Sequence, residues 1–386
     1  MAAPPLRAGV VAGEASGDLL GSHLIAALKA REPRLRFAGI AGPRMIAQGV
    51  ESLHPMETLS VRGYVEVLRH YREIMAIRRT LTSQLLAMQP ALFIGVDAPD
   101  FNLDLERVLR DKGIPTVHFV GPSVWAWRRW RLRRIARAVT HMLVMFPFEP
   151  AIYEAEGIPA TYVGHPMADV IPMAIDRAAA RESLKLPSGR LIVALLPGSR
   201  QQELQYMADA FVQTAVRMHD ALKSVHFVCP TASRQTREMF EAAVYRNAAQ
   251  ELPLTLMFGH SHEALAAADV ALVASGTATL EAALFKTPMV ITYRQSAVTW
   301  ALMKRMLYQP WIGLPNILAR EFLVDEVVQE RATPENLSTA MLGLLRDAPR
   351  QARQRARFEE IHAQLRQDTA SKAAEAVIGV LKNAHG

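Results

Sequence analysis

Asp97 is the residue of this sequence best placed to act as a base. It follows the apolar run Leu92-Phe93-Ile94-Gly95-Val96, and open α/β sheets bind ligands at the carboxyl ends of such strands. A carboxylate there can accept a proton from a hydroxyl group within hydrogen-bond reach, although stabilising the turn is an equally good interpretation of Asp97. Asp100 and Asn102 are expected to cap the helix that begins beside them.

A second candidate site follows the first apolar run and contains two carboxylates. Gly13, Glu14, Ser16, Gly17 and Asp18 lie between that run and an amphipathic stretch. Glycine lets a ligand approach the backbone closely, but the glycine spacing matches neither the dinucleotide fingerprint nor the P-loop. The carboxylates suit the hydroxyl groups of a sugar better than a pyrophosphate, so we predict an acceptor-sugar site.

Two turns in the second half of the chain have the composition of phosphate-binding turns. One contains Gly198, Ser199 and Arg200, and the other contains Ser275, Gly276 and Thr277. Small residues before a helix let a phosphate reach its free N–H groups, and Arg200 can neutralise the charge with two hydrogen bonds.

A carboxylate is placed to complete this nucleotide site. Glu281, four residues after Thr277 on the same helix face, can accept from ribose hydroxyls. The sequence has neither a His-Glu-x-x-His motif nor a cysteine cluster, so we expect no metal and no other cofactor. Arg200 and the helix N-termini would then stabilise a leaving diphosphate.

The elements that must hold these residues alternate between apolar strands and helices. Six strand-like runs precede residue 165, and five more follow residue 190, which predicts two parallel-sheet units. We expect a first Rossmann-like domain over residues 1–165, a linker over 166–190, a second domain over 191–333 and a helical tail over 334–386. That tail could return to the first domain or exchange with a second subunit in a homodimer.

Composition restricts the class of protein. The chain has 386 residues, of which 50% are hydrophobic and 21% charged, with one cysteine and a net charge of +7. These values are typical of an ordered globular protein of about two domains. The sequence contains no signal-peptide pattern and no apolar run of membrane-spanning length, so we expect a cytoplasmic protein.

Three segments nevertheless suit a membrane surface. Tryptophan and arginine alternate over Trp125–Arg137, and two apolar stretches, Tyr64–Leu86 and Trp300–Tyr308, carry flanking basic residues. Arginine with tryptophan suits anionic headgroups, and nucleic acid is disfavoured because no nucleic-acid-binding module accompanies the cluster. A solvated basic face and ordinary core packing of the two apolar stretches are the alternatives.

Taken together, these motifs resemble the bacterial lipid-A-disaccharide synthase family, glycosyltransferases of the GT-B type. The resemblance covers most of the chain and rests on these segments: Ala12–Asp18, Asp97–Asn102, Pro122–Trp127, Tyr162–Pro166, Leu196–Arg200, Ser275–Glu281 and Leu314–Asn316. It implies a hexosyltransferase with two Rossmann-like domains facing across a cleft, bound peripherally to the cytoplasmic face of the inner membrane.

The resemblance also implies substrates and roles. A 2,3-diacylglucosamine would move from UDP to the 6-hydroxyl of 2,3-diacylglucosamine 1-phosphate with inversion, giving a β-1,6-linked disaccharide. Asp97 would be the base. UDP would be held by Arg200, Gly276, Thr277 and Asn316, and its ribose by Glu281. The Gly13–Asp18 turn would bind the acceptor.

The alternatives are a UDP-N-acetylglucosamine 2-epimerase, a lipid II transferase, and a non-catalytic membrane protein that binds nucleotides. Two places depart from the family pattern. Gly121 stands where serine is expected, and Val324-Asp325-Glu326 stands where a proline before the acidic residue is expected.

Overall fold

A computed structural model describes residues 5–59, 64–222 and 224–385, with the side chains of residues 64–71 and 385 outside that description. The chain divides into two units. Residues 1–169 and 365–386 form unit 1, and residues 170–364 form unit 2.

Unit 1 is built on a seven-stranded parallel sheet with the order β3-β2-β1-β4-β5-β6-β7. Its strands are β1 Leu6–Ala12, β2 Leu35–Ala41, β3 Val50–Pro55, β4 Leu92–Val96, β5 Thr116–Phe119, β6 His141–Val144 and β7 Ala160–Tyr162. The central strands are buried almost throughout, as expected for a parallel sheet covered on both faces.

The helices up to the unit boundary are α1 Ala15–Arg31, α2 Pro43–Ala47, α3 Tyr64–Met88, α4 Pro99–Arg110, α5 Leu132–Ala138, α6 Glu149–Glu154 and α7 Pro166–Val170. Short 3-10 helices lie at Met56–Thr58 and Arg129–Arg131. The order of strands and helices is that of repeated right-handed βαβ crossovers, which brings the carboxyl ends of all seven strands to one edge.

Unit 2 has a six-stranded parallel sheet with the order β10-β9-β8-β11-β12-β13. The strands are β8 Leu191–Leu196, β9 Val225–Thr231, β10 Leu254–Phe258, β11 Val270–Ala274, β12 Met289–Tyr293 and β13 Asp325–Val328. The helices are α8 Arg177–Ser183, α9 Gln201–Ala221, α10 Arg234–Arg246, α11 Ser261–Ala267, α12 Thr277–Leu284, α13 Ala297–Met306, α14 Leu314–Ala319, α15 Pro334–Arg346 and α16 Ala348–Leu365.

The segment expected to be a linker, residues 166–190, carries two helices. The second, α8, packs within unit 2, where Arg177 and Arg181 reach the carboxylate of Asp269 at 3.2 and 2.7 Å. The carboxylate also accepts the backbone N–H of Ile192 at the start of β8. This stretch is therefore ordered by ion pairs to unit 2.

The last helix, α17 Thr369–His385, lies in unit 1. Its residues Ala373, Val377 and Leu381 belong to the same apolar core as α1 and the central strands. The carboxylate of Asp169 accepts the N–H groups of residues 367–369 at 2.7–3.0 Å and so caps this helix. The expected helical tail is thus split, with α15 and α16 in one unit and α17 in the other.

Candidate active site

Asp97 lies in a strained turn at the carboxyl end of β4. Asp97 and Ala98 both have left-handed backbone conformations, with φ of 53° and 45°, which costs about 1–2 kcal/mol at each non-glycine residue. Strain of this kind is often kept at functional sites. The turn is held from below by Asn102, whose Nδ2 donates to the carbonyl oxygen of Asp97 at 2.7 Å.

The capping role expected of Asp100 and Asn102 is wrong. Helix α4 begins after Ala98, which has no side chain that could cap it, and Asn102 binds the turn instead. Asp100 has a side chain that is 72% exposed and pairs with Arg131 at 3.0 Å. Burial, by contrast, raises the pKa of Asp97 above its usual range, which favours Asp97 over Asp100 as the base.

The Gly13–Asp18 turn lies directly beside Asp97, because β1 and β4 are neighbouring strands with Ala12 opposite Val96. A Cβ atom on Gly13 would lie 2.8 Å from that of Ala98, so glycine permits the two turns to touch. The charge of Glu14 contributes to the raised pKa of Asp97.

The carboxylate of Asp18 makes its hydrogen bonds within the protein. It is buried, and its two carboxylate oxygens accept the N–H groups of Arg44 and Met45 at 2.9 and 3.0 Å. These are the first N–H groups of α2, so the carboxylate caps that helix from α1. Gly13, Glu14, Ser16 and Gly17 remain as the acceptor-site candidates.

In unit 2, both predicted phosphate turns line one cavity of about 410 Å³. They meet there because β8 and β11 are neighbours, with Leu196 opposite Val273. The predicted residues that line the cavity are Gly198, Ser199, Arg200, Ser275, Gly276, Thr277 and Glu281. Seven of the eight predicted nucleotide-site residues are therefore brought together.

The Gly198 turn already contains a carboxylate. Oε2 of Glu203 accepts the N–H groups of Ser199 and Arg200 at 2.8 and 3.1 Å. Gly198 has φ of +121°, and a Cβ atom there would lie 2.6 Å from the same oxygen. These two N–H groups thus already have an acceptor in Glu203, and Nη1 of Arg200, whose side chain is 78% exposed, lies 3.5 Å from Oε1 of the same carboxylate.

The Gly276 turn lines the cavity at the start of α12. Gly276 precedes α12 and has no side chain to cap it, and Thr277 and Ala278 of the first turn line the cavity. Across the cavity wall, Oε2 of Glu281 lies 3.6 Å from Nε2 of His262. The nearby carboxylate of Glu281 raises the pKa of His262.

Asn316 does not line the cavity. Its side chain is fully buried, donates to the carbonyl of Val324 and to Glu326, and accepts the N–H of Val324 at 2.8 Å. Both donor hydrogens and the oxygen of this amide therefore take part in holding α14 against β13.

A sequence model of the family described as lipid-A-disaccharide synthetase matches residues 9–380. The chain belongs to the lipid-A-disaccharide synthase family. Synthases from Dechloromonas aromatica and Methylobacillus flagellatus are 55% and 53% identical to it over 377 and 374 residues, covering 97% of this chain and 99% of each relative. The predicted family and hexosyltransferase class are confirmed.

A solved structure supports the fold class. The UDP-GlcNAc 2-epimerase from Neisseria meningitidis bound to UDP-GlcNAc has a TM-score of 0.62 at 11% identity, covering 98% of this chain and 100% of that chain. At that identity the likeness concerns the fold alone. The predicted α/β fold of the GT-B type, with two Rossmann-like parallel sheets, is confirmed.

The Trp125–Arg137 segment of this family member is only partly free to meet a ligand. Arg131 and Arg134 pair with Asp100 and Asp104 of α4, whereas Arg133 and Trp130 are exposed. In unit 2, α13 exposes Val298 and Leu302. The predicted Tyr64–Leu86 helix exists within α3, and its side chains up to residue 71 lie outside the described residues.

Sequence reasoning missed residues that the fold brings to these turns. Glu203, Tyr293 and the β9 end at Thr231 line the nucleotide cavity, and the buried residues Glu106 and His118 lie behind Asp97. Only Glu203 carried a sequence signal, since it stands at the third helical position after Arg200, where a carboxylate commonly reaches back to the N-terminus.

Within the described ranges, no helix has the length and apolarity that crossing a bilayer requires.

Proposed function

We propose that the chain transfers 2,3-diacylglucosamine from UDP to the 6-hydroxyl of 2,3-diacylglucosamine 1-phosphate, forming the β-1,6-linked lipid A disaccharide 1-phosphate and UDP. The observation that carries this proposal is the desolvated carboxylate of Asp97 at the carboxyl edge of one sheet of a confirmed family member. The related proteins bear the name of this activity.

The chemistry is a single displacement. The carboxylate of Asp97 takes the proton of the acceptor hydroxyl while that oxygen forms a bond to the anomeric carbon of the donor. The bond from the same carbon to the diphosphate breaks, and the electron pair leaves with UDP. Desolvation makes the Asp97 carboxylate a stronger base than one in water, because burial disfavours its charged form.

The leaving group gains charge in the transition state, and donors placed in advance lower that barrier. The N–H groups of Thr277 and Ala278 and the exposed guanidinium of Arg200 are such donors around the 410 Å³ cavity. Glu281 is the acceptor for the ribose hydroxyls. Glu203 fixes the turn that carries Arg200, so its contribution is to position that arginine.

One assay separates the proposal from the alternatives. The purified chain is incubated with UDP-2,3-diacylglucosamine and 2,3-diacylglucosamine 1-phosphate, and the products are identified by mass spectrometry. We expect the disaccharide 1-phosphate. Epimerised UDP-N-acetylglucosamine, transfer from that donor to a lipid II precursor, or UDP binding without turnover would each contradict the proposal in favour of a different function.

The base assignment has a matched pair of variants. Asp97→Ala should lose turnover by about a hundredfold to ten-thousandfold, because a positioned base contributes roughly 10²–10⁴ in rate, while UDP affinity by calorimetry stays within about twofold. Asp100→Asn, three residues away in the exposed ion pair with Arg131, should retain activity. An active D97A, or equal loss of turnover and UDP affinity, would overturn the role of Asp97.

The proposed role of Arg200 in binding the diphosphate of UDP can be tested by substitution. Arg200→Ala should weaken UDP binding on the order of tenfold, since a charge-assisted bond to a phosphate is worth about 1.5–3 kcal/mol. Arg217→Ala, an exposed arginine further along α9, is the control and should leave the affinity unchanged. Equal affinity of R200A and the parent chain would remove Arg200 from the site.

The proposed location is the cytoplasmic face of the inner membrane, with an anionic surface as partner. Exposed Val298 and Leu302 on α13 and the exposed Trp130 and Arg133 support it, because such surfaces suit the headgroup region. Flotation with vesicles of anionic and of neutral lipid should show binding to the former that weakens with salt. Salt-independent binding would contradict the electrostatic part. A homodimer stays a prediction, to be checked by light scattering.

A further inference from the structure

Behind the Asp97 turn, Glu106 of α4 and His118 of β5 form a fully buried pair. Nδ1 of His118 lies 2.7 Å from Oε1 of Glu106, and both side chains are 0% exposed. The remaining polar atoms, Oε2 of Glu106 and Nε2 of His118, have no hydrogen-bond partner among the described residues. Burying two ionisable groups is costly, and apolar residues of similar volume often serve a core equally well or better. The pair therefore requires an explanation other than packing.

The sheet is shaped to admit this pair next to Asp97. A Cβ atom on Gly95 would lie 2.1 Å from Oε1 of Glu106, so glycine on β4 makes room for the carboxylate. Gly95 and His118 are register partners on adjacent strands, and the N–H of Asp97 donates to the carbonyl of Phe119 at 2.8 Å. The imidazole and the candidate base are thus held at the same end of the same two strands.

Four titratable groups act on one another here. Burial alone would lower the pKa of His118, but the carboxylate of Glu106, assisted by that of Asp97, reverses this and raises it. For Asp97, burial raises the pKa, Glu14 adds to the increase, and the charge of His118 opposes both. Within the pair we assign the proton to the imidazole, because a carboxyl group is ordinarily the stronger acid.

We propose that Glu106 and His118 are positioning residues for the base: Glu106 holds His118 as an imidazolium, whose charge keeps the buried carboxylate of Asp97 ionised beside Glu14. This inference rests on the proposed function of Asp97. Neither residue touches the substrates, since both are fully buried, and no proton moves between the pair and the acceptor. The pair acts on Asp97 only through the electrostatic field of the imidazolium.

The test is the pH dependence of turnover in Glu106→Gln. This change preserves the size of the side chain and removes the charge that keeps His118 protonated. A neutral imidazole no longer counteracts the increase that burial causes in the pKa of Asp97, so a larger fraction of Asp97 is protonated at acidic pH. We expect the ratio of kcat/KM at pH 8.5 to that at pH 6 to increase on the order of fivefold, the effect of losing a nearby opposite charge. KM for the UDP donor should not change.

His118→Gln removes the same charge from the other side of the pair and should change the ratio in the same direction. Asp104→Asn is the matched control, because Asp104 lies on the same helix but pairs with Arg78 and Arg134 at 2.6 and 2.7 Å. D104N should keep the pH profile of the parent chain. Variants of Glu106 and His118 that lower the melting temperature yet retain the parent profile would show a purely structural pair and overturn the inference.

Failure of the inference is distinguishable from failure of the proposed function. If D97N is inactive but E106Q has the parent profile, only the inference fails; if D97N turns over normally, the base assignment fails with it. Should neither pair variant fold, ¹⁵N-histidine labelling of the parent chain decides. A buried imidazolium at pH 7.5 is expected, and a signal set in which every buried histidine is neutral would overturn the proposal.

Discussion

Glu149 should give unit 1 a stability that decreases as the pH rises. Its carboxylate is buried at the start of α6 and accepts the N–H groups of Met145 and Phe146 at 3.1 and 2.8 Å. Burial outweighs these bonds and raises its pKa from 4.5 to about 7. The folded state therefore binds a proton more tightly than the unfolded state does, so the stabilisation is complete below about pH 4.5 and is lost as the pH rises through about 7.

The increase in the pKa of Glu149 sets the size of the change in the free energy of unfolding. Each pKa unit corresponds to about 1.4 kcal/mol, so the full effect is about 3 kcal/mol, of which about 2 kcal/mol falls between pH 5.5 and pH 8.5. Glu149→Gln is uncharged at both pH values and retains an oxygen for the same two N–H groups. Relative to the parent chain, E149Q should gain about 2 kcal/mol of stability on going from pH 5.5 to pH 8.5.

The assay is urea unfolding followed by tryptophan fluorescence at both pH values. In a Trp300→Phe, Trp311→Phe background, the remaining tryptophans lie within the Trp125–Arg137 segment of unit 1, so the signal reports that unit. Glu154→Gln, an exposed carboxylate on the same helix, is the control and should follow the parent chain. Parallel pH dependences of E149Q and the parent would refute the reasoning.

Three further changes have definite expected outcomes. Asp18→Ala should lower the free energy of unfolding by about 1 kcal/mol through the lost cap of α2 without altering KM for the acceptor; a raised KM in kinetic assays would instead return Asp18 to the acceptor site. Tyr153→Phe should leave the melting temperature unchanged or higher, because its buried hydroxyl has no partner among the described residues, and a marked decrease would reveal an unseen partner. Gly198→Ala places a Cβ atom 2.6 Å from the carboxylate of Glu203 and should weaken UDP binding on the order of tenfold by calorimetry, whereas parent-like affinity would show that this turn does not position Arg200.

The sequence was sufficient to predict the central strands of both sheets. A strand such as β8 is a continuous apolar run because helices cover both faces of a parallel sheet. The edge strands β3 and β13 were missed, since most of their residues are partly or fully exposed and half of them are polar. A run without an apolar face gives periodicity analysis little to detect.

The sequence predicted only those residues of the candidate site that neighbouring residues in the chain mark. Strand ends identify the two predicted phosphate turns and Asp97 as candidates directly from the sequence. Partners distant in sequence were not predictable: Asp18 caps a helix that begins 25 residues later, and Glu106 meets His118 only after α4 folds onto the sheet. The departure at Gly121 also has a tertiary cause, because a Cβ atom there would lie 2.2 Å from the hydroxyl of Tyr153.

The return of α17 to unit 1 affects how the chain folds. Residues 1–169 precede unit 2 in the chain, yet part of the core that they require, around Ala373 and Val377, follows unit 2. Unit 2 can complete its own core while the groove of α1 that receives α17 is still uncovered. A chain that lacks α17 should therefore leave apolar core residues of the amino-terminal sheet and of α1 exposed to solvent.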